Sequence, residues 1–269
     1  MRAYAATMRL DGKRVLITGA SRGIGEALAE KFTEAGAAVA LVARSKDALQ
    51  EVAERFGGTA HAADLSDPAQ VSGLIDRVEA EAGPIDVLVN NAGSGVAQGF
   101  TDAPEESLRM TTELDYLAPA ELCRQAIPRM LRRGGGHIVN VSSLAGIGVY
   151  PGLVTYSAAK AALSHFTAGL RADYRGLPIG TTLVELGPVP TELLAGADDY
   201  TPTAKAFQRF YRLQLSAAVP REKVAAEVVR AVERGRRHVR LPRRAAVSAM
   251  LVEAPRRITE FALKGVPHR

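Results

Sequence analysis

Short apolar runs alternate with amphipathic stretches along most of the chain. Seven runs rich in β-branched residues predict strands buried on both faces of a sheet: 14–18, 38–43, 59–64, 87–93, 137–143, 181–187 and 238–242. Between them, apolar residues at helical spacing predict helices over 25–36, 45–57, 67–83, 120–136 and 156–176. This alternation predicts an α/β fold, a doubly wound parallel sheet of about seven strands with helices on both faces.

The alternation also suggests how the chain is organised. One domain is predicted over residues 11–242, because neither an internal repeat nor a low-complexity linker divides it. Residues 192–220 interrupt the alternation after the sixth strand and are interpreted as a lid. Residues 1–10 are expected to form a flexible extension. Residues 243–269 are expected to form a basic C-terminal extension interrupted at Pro255.

Charge is unevenly distributed. The formal net charge is +5, yet the segment from Arg221 to the end holds 13 Lys/Arg against 5 Asp/Glu. Such an excess suits either nucleic acid or an anionic surface, but a solvated arginine-rich tail explains it as well. We therefore expect no nucleic-acid partner. A weak membrane-surface contact of the C-terminal segment remains open, as do a role in the substrate pocket and a role in a subunit interface.

Cysteine and histidine usage narrows the chemistry. Cys123 is the single cysteine, so the chain can form neither an internal disulfide nor a cysteine-based metal cluster. The five histidines show no ligand spacing, and no metal site is expected. There is neither an apolar run of about 20 residues nor a secretory signal at the N-terminus, which together with the lone cysteine favours a cytoplasmic location.

A glycine-rich turn joins the first strand to the first helix. It reads TGASRGIG over residues 18–25. Gly19, Gly23 and Gly25 would supply a tight turn, close backbone approach and close helix–strand packing, while the helix N-terminus offers N–H groups to a pyrophosphate. In this position between strand and helix, the turn predicts a dinucleotide site.

The end of the second strand indicates which dinucleotide binds. An acidic residue there would bind the ribose 2′-hydroxyl of NAD, but the chain has Arg44 and Lys46, and Arg22 lies within the glycine turn. Guanidinium groups bind a phosphate bidentately. The pattern favours NADP(H) over NAD(H), with a purely structural role for Arg44 as the alternative.

Tyr156 and Lys160 are four residues apart in YSAAK, with only small residues between them. On a helix this spacing puts both side chains on one face. A nearby ammonium favours the phenolate of a tyrosine, whose ordinary pKa is about 10. The pair could therefore act as an acid–base device.

Taken in order, these motifs resemble the short-chain dehydrogenase/reductase family over residues 12–241. ADL at 63–65 and NNAG at 90–93 match further family motifs, and Ser143 precedes Tyr156 by the family's usual 13 residues. The resemblance implies a Rossmann fold and assigns these cofactor-binding residues: Gly19, Ser21, Arg22, Gly23, Ile24, Gly25, Arg44, Asp64, Leu65, Asn91, Ala92, Gly93, Tyr156, Lys160, Gly187, Val189 and Thr191.

The resemblance also implies an activity. Tyr156 would be the acid/base of hydride transfer between NADP(H) and a carbonyl or secondary alcohol, with Ser143 orienting the substrate oxygen and Lys160 lowering the phenol pKa. Phe207, Phe210 and Tyr211 share one helix face of the lid, where they either cover a lipophilic substrate or pack on the core. The family implies a homo-dimer or homo-tetramer.

Two positions depart from the family pattern. Asp115 in ELDYLAP stands where the family has an asparagine of its proton relay, and an ionised aspartate cannot donate a hydrogen bond. Leu186 replaces a proline after the sixth strand. These departures keep a second hypothesis open, a dinucleotide-binding regulatory protein with weak or no catalysis, although retention of the three catalytic residues argues against it.

Overall fold

Seven parallel strands form one sheet in the order β3-β2-β1-β4-β5-β6-β7. The computed structural model describes residues 7–191, 199–214 and 217–262. The strands are β1 Arg14–Thr18, β2 Ala38–Ala43, β3 Thr59–Ala62, β4 Val87–Asn90, β5 Gly136–Ser143, β6 Ile179–Leu186 and β7 His238–Leu241. The strand order reverses between β1 and β4, and the predicted doubly wound fold is confirmed.

Helices cover both faces of this sheet. They are α1 Gly23–Glu34, α2 Lys46–Phe56, α3 Pro68–Val71, α4 Leu74–Ala82, α5 Glu105–Thr112, α6 Ala118–Arg132, α7 Val154–Asp173, α8 Thr201–Arg212, α9 Arg221–Glu233 and α10 Ala246–Ala262. A π-helical turn, Glu113–Leu117, joins α5 to α6. No helix in the described part of the chain is long and apolar enough to cross a membrane.

The core consists of two apolar layers, one on each face of the sheet. Phe32 of α1 and Leu49 of α2 belong to the first layer, together with residues of α9. Leu122 and Ile127 of α6 belong to the second layer, together with residues of α4. Each large apolar side chain buried in this way stabilises the fold by about 1.5–3 kcal/mol. The layers hold the strands rigidly, and their carboxyl ends meet at one edge.

One predicted helix is in fact two. The stretch 67–83 divides into α3 and α4, because Ser72 ends the first helix and Gly73 adopts a φ of +65°. Asp67 caps α3 by accepting a hydrogen bond from the backbone N–H of Ala69 at 2.9 Å. The apolar periodicity continues across the break, so periodicity alone did not reveal it.

The flexible extension predicted over residues 1–10 is too long, because its last residues pack on the domain. Leu10 is buried in the first core layer. The backbone N–H of Met8 donates to the carbonyl of Glu233 at 3.0 Å, which ties this segment to the end of α9. Residues 1–6 lie outside the described residues.

Pro255 does not interrupt the C-terminal segment as the sequence suggested. It lies inside α10, which continues to Ala262. Of the predicted lid, α8 is described, whereas residues 192–198 and 215–216 lie outside the described residues. Thr203 is buried and its hydroxyl donates to the carbonyl of Pro151 at 2.6 Å, which anchors α8 over the loop that precedes α7.

Candidate active site

The glycine turn is packed too closely for larger residues. Gly19 has a φ of +65°, and a Cβ there would lie 2.8 Å from the Cα of Ala92. A Cβ on Gly25 would lie 2.1 Å from the carbonyl oxygen of Gly19. Glycine is therefore required at both positions, as expected where the backbone of a turn is folded closely on its own helix.

The N-terminus of α1 has the features of an anion site. Its N-cap residue is Arg22, whose exposed side chain makes no capping hydrogen bond to the helix. Ser21 and Ile24 lie half-buried beside it. The first-turn N–H groups can thus donate to a pyrophosphate, which the helix dipole also favours. The close-packed turn and the uncapped helix fit a dinucleotide.

Basic side chains surround the end of β2. Arg44 and Lys46 are exposed, and the side chain of Arg44 is 73% accessible. Its Nη1 lies 4.0 Å from Oδ2 of Asp64, after β3. Oδ1 of Asp64 accepts hydrogen bonds from the Ser66 hydroxyl and backbone N–H, and these lower the pKa of the carboxyl. Arg44 thus stands exposed at the carboxyl end of β2, and Arg22 stands exposed at the N-terminus of α1.

Asn91 fastens the glycine turn to the end of β4. Its side-chain amide donates to the carbonyls of Thr18 and Gly19, at 2.9 and 3.3 Å. The Thr18 hydroxyl in turn accepts from the backbone N–H groups of Asn91 and Ala92. The sequence motif marked Asn91 but not Thr18, whose hydroxyl joins the two strands at the switch point.

The loop after β6 closes the other side of the turn. The backbone N–H of Gly187 donates to the carbonyl of Leu241 at 2.7 Å, and Val189 is buried. The Cγ2 atom of Thr191 lies 3.5 Å from where a Cβ on Gly23 would be. The fold thus brings this loop against the glycine turn. Leu65 is also buried, so its side chain belongs to the core.

Ser143, Tyr156 and Lys160 come together where β5 ends and α7 begins. The Ser143 hydroxyl accepts from the backbone N–H of Ala145 at 3.0 Å and donates to the carbonyl of Leu186 at 3.3 Å, and it lowers the pKa of the Tyr156 phenol. Lys160 Nζ lies 5.8 Å from the centroid of the Tyr156 ring. One turn of α7 therefore presents the phenol and the ammonium on the same side, as the spacing predicted.

Asp115 lies in the same cluster. Its side chain is fully buried, and Oδ1 is 2.9 Å from Lys160 Nζ. Lys160 Nζ also donates to the carbonyl of Val141 at 3.1 Å, and its side chain is only 5% exposed. The other carboxylate oxygen accepts from the backbone N–H and the hydroxyl of Ser94. Sequence reasoning did not single out Ser94.

The ionisation of these three groups is coupled. Burial raises the pKa of Tyr156, Lys160 lowers it, Asp115 raises it and Ser143 lowers it, with a net upward direction. Burial lowers the pKa of the Lys160 ammonium, but Asp115 and Tyr156 raise it by more. The pKa of the Asp115 carboxyl is raised, because burial raises it by more than Lys160 and Ser94 lower it. The geometry is that of a buried ion pair beside a phenol.

A series of hydrogen bonds between buried polar side chains connects α7 to the sheet. The Asn90 amide donates to Asn140 Oδ1 at 2.8 Å, and the Asn140 amide donates to the Thr167 hydroxyl at 2.9 Å. Three polar side chains thus link β4, β5 and α7 through the core. Sequence reasoning missed Asn140 and Thr167, because each lies within an otherwise apolar pattern.

A cleft beside Tyr156 is lined by a mixture of apolar and polar side chains. Val96, Phe100 and Val154 line it and are 52–60% exposed. Phe207 and Phe210 of α8 pack on the ring of Tyr150, with centroid distances of 5.6 and 5.2 Å. The lid aromatics therefore pack on a wall next to the cleft, whereas Tyr211 remains 37% exposed.

Comparison with known proteins shows similarity over most of the chain. The family model described as short chain dehydrogenase matches residues 13–200. A fatty acyl-CoA reductase of Mycobacterium tuberculosis is 38% identical over 199 residues, which cover 71% of this chain and 68% of the relative.

Solved structures share the whole fold. A short-chain dehydrogenase of Sphingobium yanoikuyae in complex with NADPH superposes with a TM-score of 0.77 at 26% identity, covering 95% of this chain and 98% of the other. A short-chain dehydrogenase/reductase of Burkholderia phymatum in complex with NAD gives a TM-score of 0.78 at 25% identity, covering 94% and 96%.

Proposed function

The chain belongs to the short-chain dehydrogenase/reductase family of oxidoreductases, and on this premise we propose that it is an NADP(H)-dependent enzyme acting on a lipophilic carbonyl or secondary alcohol. The observation that carries the proposal is the convergence of Ser143, Tyr156 and Lys160 at the carboxyl edge of the sheet, beside the glycine turn and a cleft with exposed apolar side chains in its lining.

The cofactors held in the two similar solved structures indicate the cofactor class. The Sphingobium and Burkholderia structures hold NADPH and NAD respectively, which supports a nicotinamide dinucleotide here. The finer choice of NADP(H) is supported by the exposed Arg22 and Arg44 at the ribose end of the site. A guanidinium can bind the 2′-phosphate with two charge-assisted hydrogen bonds.

In the proposed mechanism, each side chain has one task. When bound, the nicotinamide supplies or accepts the hydride. In reduction, Tyr156 donates its phenolic proton to the carbonyl oxygen, so that an alcohol forms and a phenolate remains. Ser143 hydrogen-bonds the same oxygen and orients it. Lys160 stabilises the phenolate and would bind the nicotinamide ribose.

The substrate proposal rests on the cleft. Val96, Phe100 and Val154 expose apolar surface beside Tyr156. Covering this surface with an apolar ligand would remove it from water, which is favourable by about 25 cal/mol per Å². A steroid-like, a retinoid-like or a fatty substrate would each suit such a surface, and the fatty acyl-CoA reductase relative favours the fatty class.

The experiment is a turnover panel. We expect purified protein to consume NADPH with long-chain aliphatic carbonyls at a higher kcat/KM than with their short-chain analogues, with aromatic and steroid carbonyls as comparison classes. Binding of NADPH without turnover of any panel member would favour the alternative, a dinucleotide-binding regulator. If the short-chain analogues are turned over equally well, the lipophilic assignment is wrong while the reaction class stands.

We also propose that the protein is a homo-dimer or homo-tetramer. A groove between α6 and α7 is lined by the apolar side chains of Leu117, Phe166, Leu170 and Tyr174. The outer face of α7 carries small residues, among them the half-buried Ala161 and Ala162. Small side chains let a second helix approach closely, so a second copy of the chain fits this face.

A further inference from the structure

Asp115 and Lys160 form a buried ion pair, and the proposed mechanism assigns no task to Asp115. The ammonium and the carboxylate are 2.9 Å apart, and the Asp115 side chain has no exposed surface. Each described contact of the carboxylate is with a donor, namely Lys160 or the two groups of Ser94. A charge pair this deeply buried interacts strongly, because little water screens it.

The backbone is shaped around this pair. Asp115 points inward from the π-helical turn Glu113–Leu117, a distortion that is frequent at functional sites. Across from it, a Cβ on Gly93 would lie 2.6 Å from Asp115 Oδ1 and 3.2 Å from Lys160 Nζ. Only glycine leaves room for the contact, so the pair is built into the site.

The pair acts on Tyr156. The Lys160 ammonium favours the phenolate, and the Asp115 carboxylate beside it opposes that effect. The remaining polar group that faces the phenol is the uncharged Ser143 hydroxyl. Within the described residues, Lys160 and Asp115 are the charged groups that act on this phenol, and their balance shifts a pKa that burial already raises.

We propose that Asp115 neutralises Lys160 and so keeps the Tyr156 phenol protonated through neutral pH, as the proton donor for carbonyl reduction. The proposal rests on the proposed function of Tyr156 and adds the direction for which the site is poised. Reduction requires the phenol and oxidation requires the phenolate, so oxidation is confined to alkaline pH. Asp115 is thus a positioning residue that acts through Lys160.

The test compares pH profiles of wild type and Asp115→Asn, which keeps the shape and removes the charge. In the variant, the reduction rate should fall at a lower pH than in wild type, and the oxidation rate should rise at a lower pH. Both shifts should be about one pH unit or more. Glu113→Gln is the matched control, because it removes a half-buried carboxylate from the same turn without touching Lys160. Limbs that stay in place in Asp115→Asn would overturn the proposal.

A second readout does not depend on turnover. Ultraviolet absorbance is titrated against pH with and without the Tyr156→Phe substitution, and the difference between the two curves reports the ionisation of this phenol alone. With Asp115→Asn present, the ionisation of the phenol should move to lower pH. With both Asp115→Asn and Lys160→Met present, it should return close to the wild-type pH. The double variant leaves no unpaired buried charge, which protects folding. An unchanged titration in Asp115→Asn refutes the proposal even if no substrate is found.

A separate observation concerns α10, whose inward side carries Ala249 and the ion-paired Glu253. Glu253 is buried, and its carboxylate accepts from Arg240 and lies 2.8 Å from His238 Nε2. The opposite face exposes four apolar side chains at 57–71%: Val247, Met250, Leu251 and Ile258. Their helical spacing aligns them in one stripe. Ion pairs therefore hold α10 to the sheet edge with its apolar face outward.

We infer that this stripe docks on an anionic lipid surface. Residues 243–269 hold 6 Lys/Arg against 2 Asp/Glu, and one of those acids, Glu253, is turned inward. The side chain of Arg243, just before α10, is 85% exposed. An exposed apolar stripe on a segment of net basic charge suits an interfacial helix on anionic lipid. If a second copy of the chain docked on this stripe, two segments of the same positive charge would meet and repel each other.

Vesicle sedimentation tests this inference. The full chain should sediment with phosphatidylcholine vesicles containing phosphatidylglycerol and not with phosphatidylcholine alone. Leu251→Glu should weaken binding by about tenfold or more, because it loses apolar burial and adds a repelled charge. Leu177→Glu, at an exposed leucine outside α10, should not. Absence of sedimentation overturns the inference, and so does a fall in particle mass with Leu251→Glu in light scattering, which would identify a subunit interface.

Discussion

At the scale of single residues, the chemistry depends on what surrounds each side chain more than on its identity. The spacing of Tyr156 and Lys160 was readable in the sequence, because helical geometry puts them on one face. The contact of Asp115 with Lys160 was not, since it joins residues 45 positions apart through a π-helical turn. The sequence showed only that Asp115 departed from an expected asparagine.

Arg44 provides a prediction at this scale. Arg44→Asp should raise the Kd for NADPH by about tenfold or more and leave the Kd for NADH within a few-fold, because the new carboxylate repels a 2′-phosphate that NADH lacks. Fluorescence titration of both reduced cofactors measures the two constants. An equal effect on both cofactors would mean that Arg44 has a structural role, and tighter binding of NADH than NADPH to the wild type would defeat the NADP(H) assignment.

At the scale of elements, the apolar runs predicted the seven strands well. Buried parallel strands are apolar on both faces, and such runs are visible without tertiary information. The division of 67–83 and the continuity of α10 through Pro255 were not visible in this way. Both depend on local backbone geometry and on packing, to which apolar periodicity is insensitive.

Strand β5 carries a buried histidine that should couple stability to pH. His137 Nε2 lies 2.8 Å from the Thr182 hydroxyl, and burial, with Arg171 second, lowers its pKa to about 4. The unfolded value is about 6.5, so between these values the unfolded chain binds the proton and the folded chain does not. The contribution of His137 to stability is therefore complete above about pH 6.5 and is lost as the pH falls toward 4.

Urea unfolding at pH 7 and pH 5 measures this effect. From the two pKa values, His137 should account for about 2 kcal/mol of the stability lost between these pH values. Between pH 7 and pH 5, the free energy of unfolding of His137→Gln should fall by about 2 kcal/mol less than that of wild type. All other titrating groups are the same in the two proteins, so their contributions cancel. Equal losses in the two proteins would show that His137 is not held neutral by burial.

At the scale of the whole molecule, the parallel sheet brings the site together. All seven strands end at one edge, so residues from β1, β4, β5 and β6 meet although they are far apart in the chain. The motif order predicted this convergence. It did not predict the polar chain from Asn90 to Thr167, because pairing of buried polar groups depends on which elements become neighbours.

The expected assembly is tested on α7. Ala162→Glu should reduce the mass measured by light scattering from that of a dimer or tetramer, because it places a charge on the face proposed to meet a second copy. Ala48→Glu is the matched control, a half-buried helical alanine on α2, which packs on the opposite face of the sheet. A monomeric wild type at micromolar concentration would refute the assembly, and an unchanged mass in Ala162→Glu would move the interface elsewhere.

The most direct test of the account is Tyr156→Phe, measured as NADPH turnover and as NADPH affinity in the same preparation. Turnover should fall by about a hundred- to ten-thousand-fold, the usual contribution of general acid–base catalysis, while the Kd for NADPH stays within a few-fold of wild type. Tyr150→Phe, on the wall packed by α8, should keep its activity. Turnover of the Tyr156→Phe enzyme within a few-fold of wild type would contradict the mechanism.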